Sequence, residues 1–105
     1  VILWLTIYST PPVHLYGHPD ALAELPNDER RERLLADVQP LQSQLEDENP
    51  TLVVDLENGA GQAAVLFADP PIGYRAELRS ADGLLFSGVV NQITLGRSAQ
   101  LRVEA

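Results

Sequence analysis

The chain has 105 residues, 45% hydrophobic and 21% charged, with seven basic against fifteen acidic side chains, a formal charge of −8 and no cysteine. That length holds one domain with a thin core, and the composition excludes wholesale disorder and fibrous repeats. Net acidity repels phosphate backbones and anionic headgroups, and the missing thiols exclude disulfides, thiolate nucleophiles and cysteine-based metal sites.

The segment Val1–Ser9 (VILWLTIYS) is rich in β-branched and aromatic types and ends at Thr10-Pro11-Pro12, where prolines deny ladder donors. It predicts a strand with Val1, Leu3, Leu5 and Ile7 on one face and Ile2, Trp4, Thr6 and Tyr8 on the other. Both faces require cover, and the pattern leaves open whether it comes from this chain or another. The run is too short for a membrane span and lacks the basic start of a secretory signal, so a soluble chain without membrane insertion is expected. Residues 10–27 hold Pro11, Pro12, Gly17, Pro19 and Pro26, which predicts a long ordered loop with one helical turn after Asp20.

Asn27 suits a helix N-cap, Asp28 and Glu29 suit a first turn, and Leu34, Leu35 and Val38 recur near helical spacing, so a short helix is expected over 28–37. Within it, Arg30, Arg31 and Arg33 alternate with Glu29 and Glu32, a self-compensated solvated face rather than a nucleic-acid patch. Residues 41–48 fit helix or strand by spacing.

From Thr51 onward the pattern is β. Leu52, Val54 and Leu56 alternate with Asp55 and Glu57; Asn58-Gly59-Ala60-Gly61 reads as a turn; Gln62–Ala68 reads as a further strand before Asp69-Pro70-Pro71. Tyr74, Ala76 and Leu78 alternate with Arg75, Glu77 and Arg79, an inside and outside pattern up to an Asp82-Gly83 hairpin signal. In Leu84–Leu95 the inward set moves from Leu84, Phe86 and Val90 to Ile93 and Leu95, a change of parity that requires a bulge between Gly88 and Gln92. Leu101, Val103 and Ala105 close the pattern. The expected fold is mainly β: one domain over 1–105, a small antiparallel barrel or sandwich of about six strands with one short helical excursion.

Catalytic signatures are weak. His14 and His18 have the spacing of a helical zinc pair, but Gly17 and Pro19 remove the helix. Asp55 and Glu57 share one strand face rather than converging on a cleft, and no serine sits in a nucleophile elbow. No catalytic, cofactor or metal residue is expected, and the chain is read as a non-enzymatic binder of other protein chains. Trp4, Tyr8 and Tyr16 are the large amphipathic side chains suited to anchoring an interface, although Trp4 equally suits a core, and the expected surface comprises Val1, Ile2, Trp4, Thr6, Tyr8 and Tyr16.

The order and spacing of Val54-Asp55-Leu56-Glu57-Asn58-Gly59-Ala60-Gly61, Pro70-Pro71-Ile72-Gly73-Tyr74-Arg75-Ala76-Glu77-Leu78-Arg79, and Leu85-Phe86-Ser87-Gly88-Val89-Val90 before Ile93-Thr94-Leu95-Gly96 resemble the distal-tail and hub type modules of tailed-phage tail tips and baseplates. The resemblance covers about half the chain. It implies a small β module without catalytic residues, in a symmetric ring or multi-copy assembly with other tail or baseplate proteins. It also implies a place in the virion, with a soluble stage in the host cytoplasm before assembly, and favours a strand over 41–48. The alternative is a ligand-binding barrel holding an oligosaccharide or small molecule; a hydrolase ranks behind both.

Overall fold

The structure, a computed structural model, describes residues 2–38 and 50–105. Its elements are β1 (Leu3–Ile7), β2 (Val13–Tyr16), a 3-10 helix (Pro19–Glu24), β3 (Arg30–Glu32), β4 (Leu35–Val38), β5 (Thr51–Leu56), α1 (Gln62–Leu66), β6 (Arg75–Ser80), β7 (Gly83–Leu95) and β8 (Ala99–Glu104). The fold is mainly β, with eight strands in one sheet ordered β3-β2-β1-β6-β7-β8-β5-β4. Every described pair is antiparallel except β2 with β3.

The two ends of this sheet are consecutive in the chain. Only Arg33 and Leu34 separate the end of β3 from the start of β4, and three residue steps reach about 11 Å at most. The sheet must therefore roll up until its ends meet. Arg30–Val38 is in effect one kinked strand: its first part pairs with β2, through Val13–Arg30 and Leu15–Glu32, and its second with β5, through Leu35–Leu56 and Val38–Val54. At the kink the Glu57 N–H donates to the Leu34 carbonyl at 2.8 Å, and the Leu34 side chain enters the core. This segment is the clasp of a barrel.

Period-two alternation fills the interior. Leu5 and Ile7 of β1, Leu15 of β2, Leu52 and Val54 of β5, and Leu101 and Val103 of β8 are fully or almost fully buried in one cluster. Helix α1 plugs one end, with Ala63 and Phe67, four residues apart, on its buried side. Asn58 sets its start, since Oδ1 accepts the N–H groups of Ala63 at 3.0 Å and Ala64 at 3.2 Å while Nδ2 donates to the Gly96 carbonyl at 2.7 Å. A second cluster lies on the outside of the wall, where the 3-10 helix lays Ala21 and the following Leu25 over Trp4, with Ile2 and Tyr16 at its margin.

Several expectations are corrected. Residues 28–37 form no helix; they hold β3 and the start of β4. An N-cap signal is worth about 1 kcal/mol, and an isolated ten-residue helix is marginal in water, whereas the extended form inserts Leu34 and completes the wall between β2 and β5. Gln62–Ala68 is not a strand, because Gln-Ala-Ala-Val-Leu is rich in good helix formers and its Ala63/Phe67 pair faces the core. The loop expected over 10–27 contains β2, and the helical turn after Asp20 is the 3-10 helix. Among the described residues the strands number eight, against about six expected. Leu84 points outward as the partner of Arg79, because the ladder skips Leu85. The bulge expected between Gly88 and Gln92 falls at Asn91, between the Val90–Val103 and Gln92–Arg102 pairs. The expectation for 41–48 lies outside the described residues.

Candidate functional site

Two features of the barrel wall stand apart from ordinary packing: a polar network on the outer face of β1, β2 and β6, and a split beside β4.

The network follows from sheet register. Thr6 sits between His14 of β2 and Glu77 of β6 on the outward side. Thr6 Oγ1 lies 2.8 Å from His14 Nδ1, and His14 Nε2 lies 2.7 Å from Glu29 Oε1. An ionised carboxylate only accepts, so a neutral His14 carries its proton on Nε2 and accepts the Thr6 hydroxyl proton at Nδ1. The order of groups is that of a hydroxyl–imidazole–carboxylate relay, yet Thr6 is only 3% exposed and has no room for a substrate at its oxygen. The chain of bonds ties β1 and β2 to the residue that opens β3. His18 takes no part; its Nδ1 accepts the Asp20 N–H at the start of the 3-10 helix.

Glu77 is the centre of the second half of the network. It is 5% exposed, and its carboxylate accepts the Tyr8 hydroxyl at 2.6 Å, Arg79 at 3.0 Å and Arg75 at 3.1 Å. The Tyr8 hydrogen bond and the two guanidinium groups outweigh desolvation and hold the Glu77 carboxyl below the usual carboxylate range. The same bond holds the Tyr8 phenol above its ordinary value. Both arginines keep outward surface, with side chains 62% and 39% exposed for Arg75 and Arg79. Around them β7 presents Leu84, Leu85 and Val89 and β1 presents Tyr8, each between 43% and 49% exposed.

The split lies where the clasp has left β2. The ends approach at Gly17: Arg33 Nε donates to the Gly17 carbonyl at 3.0 Å, and a Cβ on Gly17 would stand 2.5 Å from the Leu35 carbonyl oxygen, so only glycine permits this approach. Beyond that contact β2 turns away into the 3-10 helix while β4 continues along β5. Between them opens a cavity of about 530 Å³ lined by Leu3, Gly17, His18, Leu35, Ala36 and Val38 among others. Among the described residues, β4 is the last strand of the sheet on that side. Its ladder skips Ala36, and the Val38 N–H is answered by the Asp37 carboxylate of its own turn at 2.9 Å. A second, smaller cavity of about 210 Å³ lies between β2, α1 and the 69–74 loop, lined by Pro11, Val13, Leu66, Phe67, Pro71 and Tyr74 with others.

Of the residues expected to form an interface, Trp4 and Thr6 are buried by the chain itself, Ile2 and Tyr16 are half-buried at the edge of the Trp4 cluster, Tyr8 is exposed, and Val1 lies outside the described residues. Glu77, Arg75, Arg79, Leu84 and Leu85 were legible as a strand and hairpin but not as a surface. The missed signal is cross-strand pairing, which brings Tyr8 and Glu77 together across 69 positions of sequence. Among the described residues no group of three or more His, Asp or Glu could hold a metal ion, and no helix is long and apolar enough to cross a membrane. No protein-family model, curated protein or solved structure matches the chain.

Proposed function

We propose that the chain is a non-enzymatic assembly component that takes an extended segment of a neighbouring protein chain into the split beside β4. The observation that carries this reading is the split itself: among the described residues β4 is a terminal strand, and it borders a groove of about 530 Å³ lined by the apolar Leu3, Leu35 and Val38 together with the charged Arg33, Asp37 and Glu57. Strand addition at an exposed edge uses main-chain hydrogen bonds for affinity and alternate side-chain pockets for specificity. Leu3, Leu35 and Val38 supply the apolar pockets, and the Asp37 carboxylate that answers the Val38 N–H is a local plug an incoming carbonyl can replace. The family resemblance supports a narrower version, a tail-tip or baseplate component of a tailed phage, in multiple copies beside other tail proteins within the virion. The acidity fits that setting, since like charge keeps passing DNA from adhering.

The test is to pan a display library of random ten-residue peptides against the chain. Selected peptides are expected to bind at micromolar to hundred-micromolar strength, to shift the backbone resonances of Leu35–Val38, and to lose at least about tenfold in affinity when Ala36 is replaced by proline, which deletes an edge donor. Selection of peptides that leave Leu35–Val38 unmoved, or of none, overturns the reading. The cavity beside Tyr74 supports a second reading, a small-ligand site; its 210 Å³ is below the roughly 300–1,000 Å³ of drug-sized pockets and suits one sugar-sized ring. Sugar titrations that move Tyr74 and Val13 but not β4 would favour it.

A further inference from the structure

The outer face has a step. On its high side the segment Pro19–Asp28, the 3-10 helix and the residues after it, stands over Trp4 through Ala21 and Leu25. On its low side the β6–β7 strip is bare. Register sets them side by side, because Arg79 is the cross-strand neighbour of Trp4 and Leu84 is the neighbour of Arg79.

The two sides differ in charge and in chemistry. Pro19–Asp28 carries Asp20, Glu24 and Asp28 and no arginine. The strip carries Arg75 and Arg79 pinned from below by the single carboxylate of Glu77, among exposed Tyr8, Leu84, Leu85 and Val89. Glu104 of β8 stands directly across from Val89, and Asp82 lies in the turn between Ser80 and Gly83 at the other end. Tyrosine, arginine and aliphatic side chains are what interface centres are enriched in, and arginines already fixed by a buried partner lose little freedom on binding.

We propose that this step is a self-complementary surface on which a second copy of the chain docks about a two-fold axis. Rotation by half a turn about a line along the step lowers the acidic ridge of each copy onto the arginine-bearing strip of the other. Both contacts form at once because ridge and strip are neighbours on one face, the condition for an isologous pair. Charge complementarity selects this occupant: the chain as a whole is at −8, so its basic, apolar strip is matched by the acidic ridge that every copy also carries. The pairing uses none of the residues of the split, so the two readings stand or fall separately.

Sedimentation velocity of the full chain from micromolar to several hundred micromolar tests the proposal. The expected result is a monomer–dimer equilibrium whose dissociation constant rises about tenfold or more between low and high salt, as screening of exposed charge requires. Joint replacement Glu24→Arg and Asp28→Arg, on exposed positions, is expected to weaken the dimer at least about tenfold with the melting midpoint unchanged, and Leu85→Asp to do the same from the other side. Ala36→Pro is expected to leave the dimer intact. A monomer at every concentration, a dimer indifferent to salt and to the ridge variant, or growth past the dimer into rings or filaments would each overturn it.

Discussion

Replacing Gly88 with alanine is expected to remove on the order of 3 kcal/mol of stability and to lower the melting midpoint by about 10–20 °C. The cause is main-chain proximity. Strand β7 pairs with β6 over its first half and with β8 over its second, and at the turning point between them the end of β8 passes directly over Gly88. A Cβ there would lie 2.4 Å from the Glu104 carbonyl oxygen, 2.7 Å from its carbon and 3.0 Å from the Ala105 nitrogen. These are backbone atoms that cannot rotate aside, and Ala105 is itself held by its N–H to the Pro50 carbonyl at 3.0 Å. Added volume in a packed site commonly costs about 1–3 kcal/mol, a large share of the roughly 5–15 kcal/mol that holds a small domain. Gly59→Ala is the control, since no atom lies within 4 Å of its Cβ. Thermal melts read both; a Gly88→Ala protein melting within about 2 °C of the parent would show that β8 does not cross where described.

Glu77→Gln is expected to cost about 2 kcal/mol near neutral pH, the scale of charge-assisted hydrogen bonds lost from a buried carboxylate that accepts from a phenol and two arginines. The effect has a pH signature. Because the folded state holds the Glu77 carboxyl below its unfolded value, its contribution is fully present above the unfolded value of about 4.3 and is lost as pH falls from there through the lower folded value. The gap between the parent and Glu77→Gln proteins should therefore be wide near neutrality and close as acid is added. Urea midpoints of the two proteins across this range measure it, the difference cancelling the titration of the other carboxylates. A gap that stays constant down to strong acid would mean that the cluster contributes through shape alone.

How far the fold could be read from the chain depends on the range of the interactions that decide each element. In strands β5, β6 and β8 the inward residues Leu52/Val54/Leu56, Ala76/Leu78 and Leu101/Val103 are buried as the alternation requires, whereas Tyr74 and Ala105, expected inward with them, lie just outside the strands and are exposed. The parity change in β7 falls at Asn91 as its pattern requires, but Leu84 and Leu95, expected inward, are exposed: Leu84 because the ladder skips Leu85, Leu95 because it ends the strand. The clasp was not legible. Its Asn-Asp-Glu opening and leucine spacing favour a local helix, and what overrides them is a gap between β2 and β5 that exists only once the other strands are in place. Helix α1 failed for the opposite reason: five residues between turn signals are too few for a period to declare itself, and only the Ala63/Phe67 pair distinguishes it.

The site was less legible than the fold. The apolar first strand does need cover on both faces, but the chain supplies it at Trp4 and Thr6 from its own proline-rich excursion and polar network. The surfaces proposed for partners are created by assembly of the barrel: a split where one strand serves two neighbours in turn, and a strip left exposed where the ridge stops at Trp4. Neither is encoded in any contiguous run of residues, so no local pattern announces them. Among the described residues, Tyr8 is the one expected interface residue that lies on the exposed strip.

Residue-resolved amide hydrogen exchange on the isolated chain reads out whether β4, the last strand of the sheet among the described residues, borders an open split. Amides of β1, β6 and β8 are expected to exchange only through global unfolding, and those of Leu35–Val38 through local opening, faster by about two orders of magnitude or more. Protection of Leu35–Val38 equal to that of Leu101 and Val103 would mean that a strand already covers that edge, and would contradict the open split.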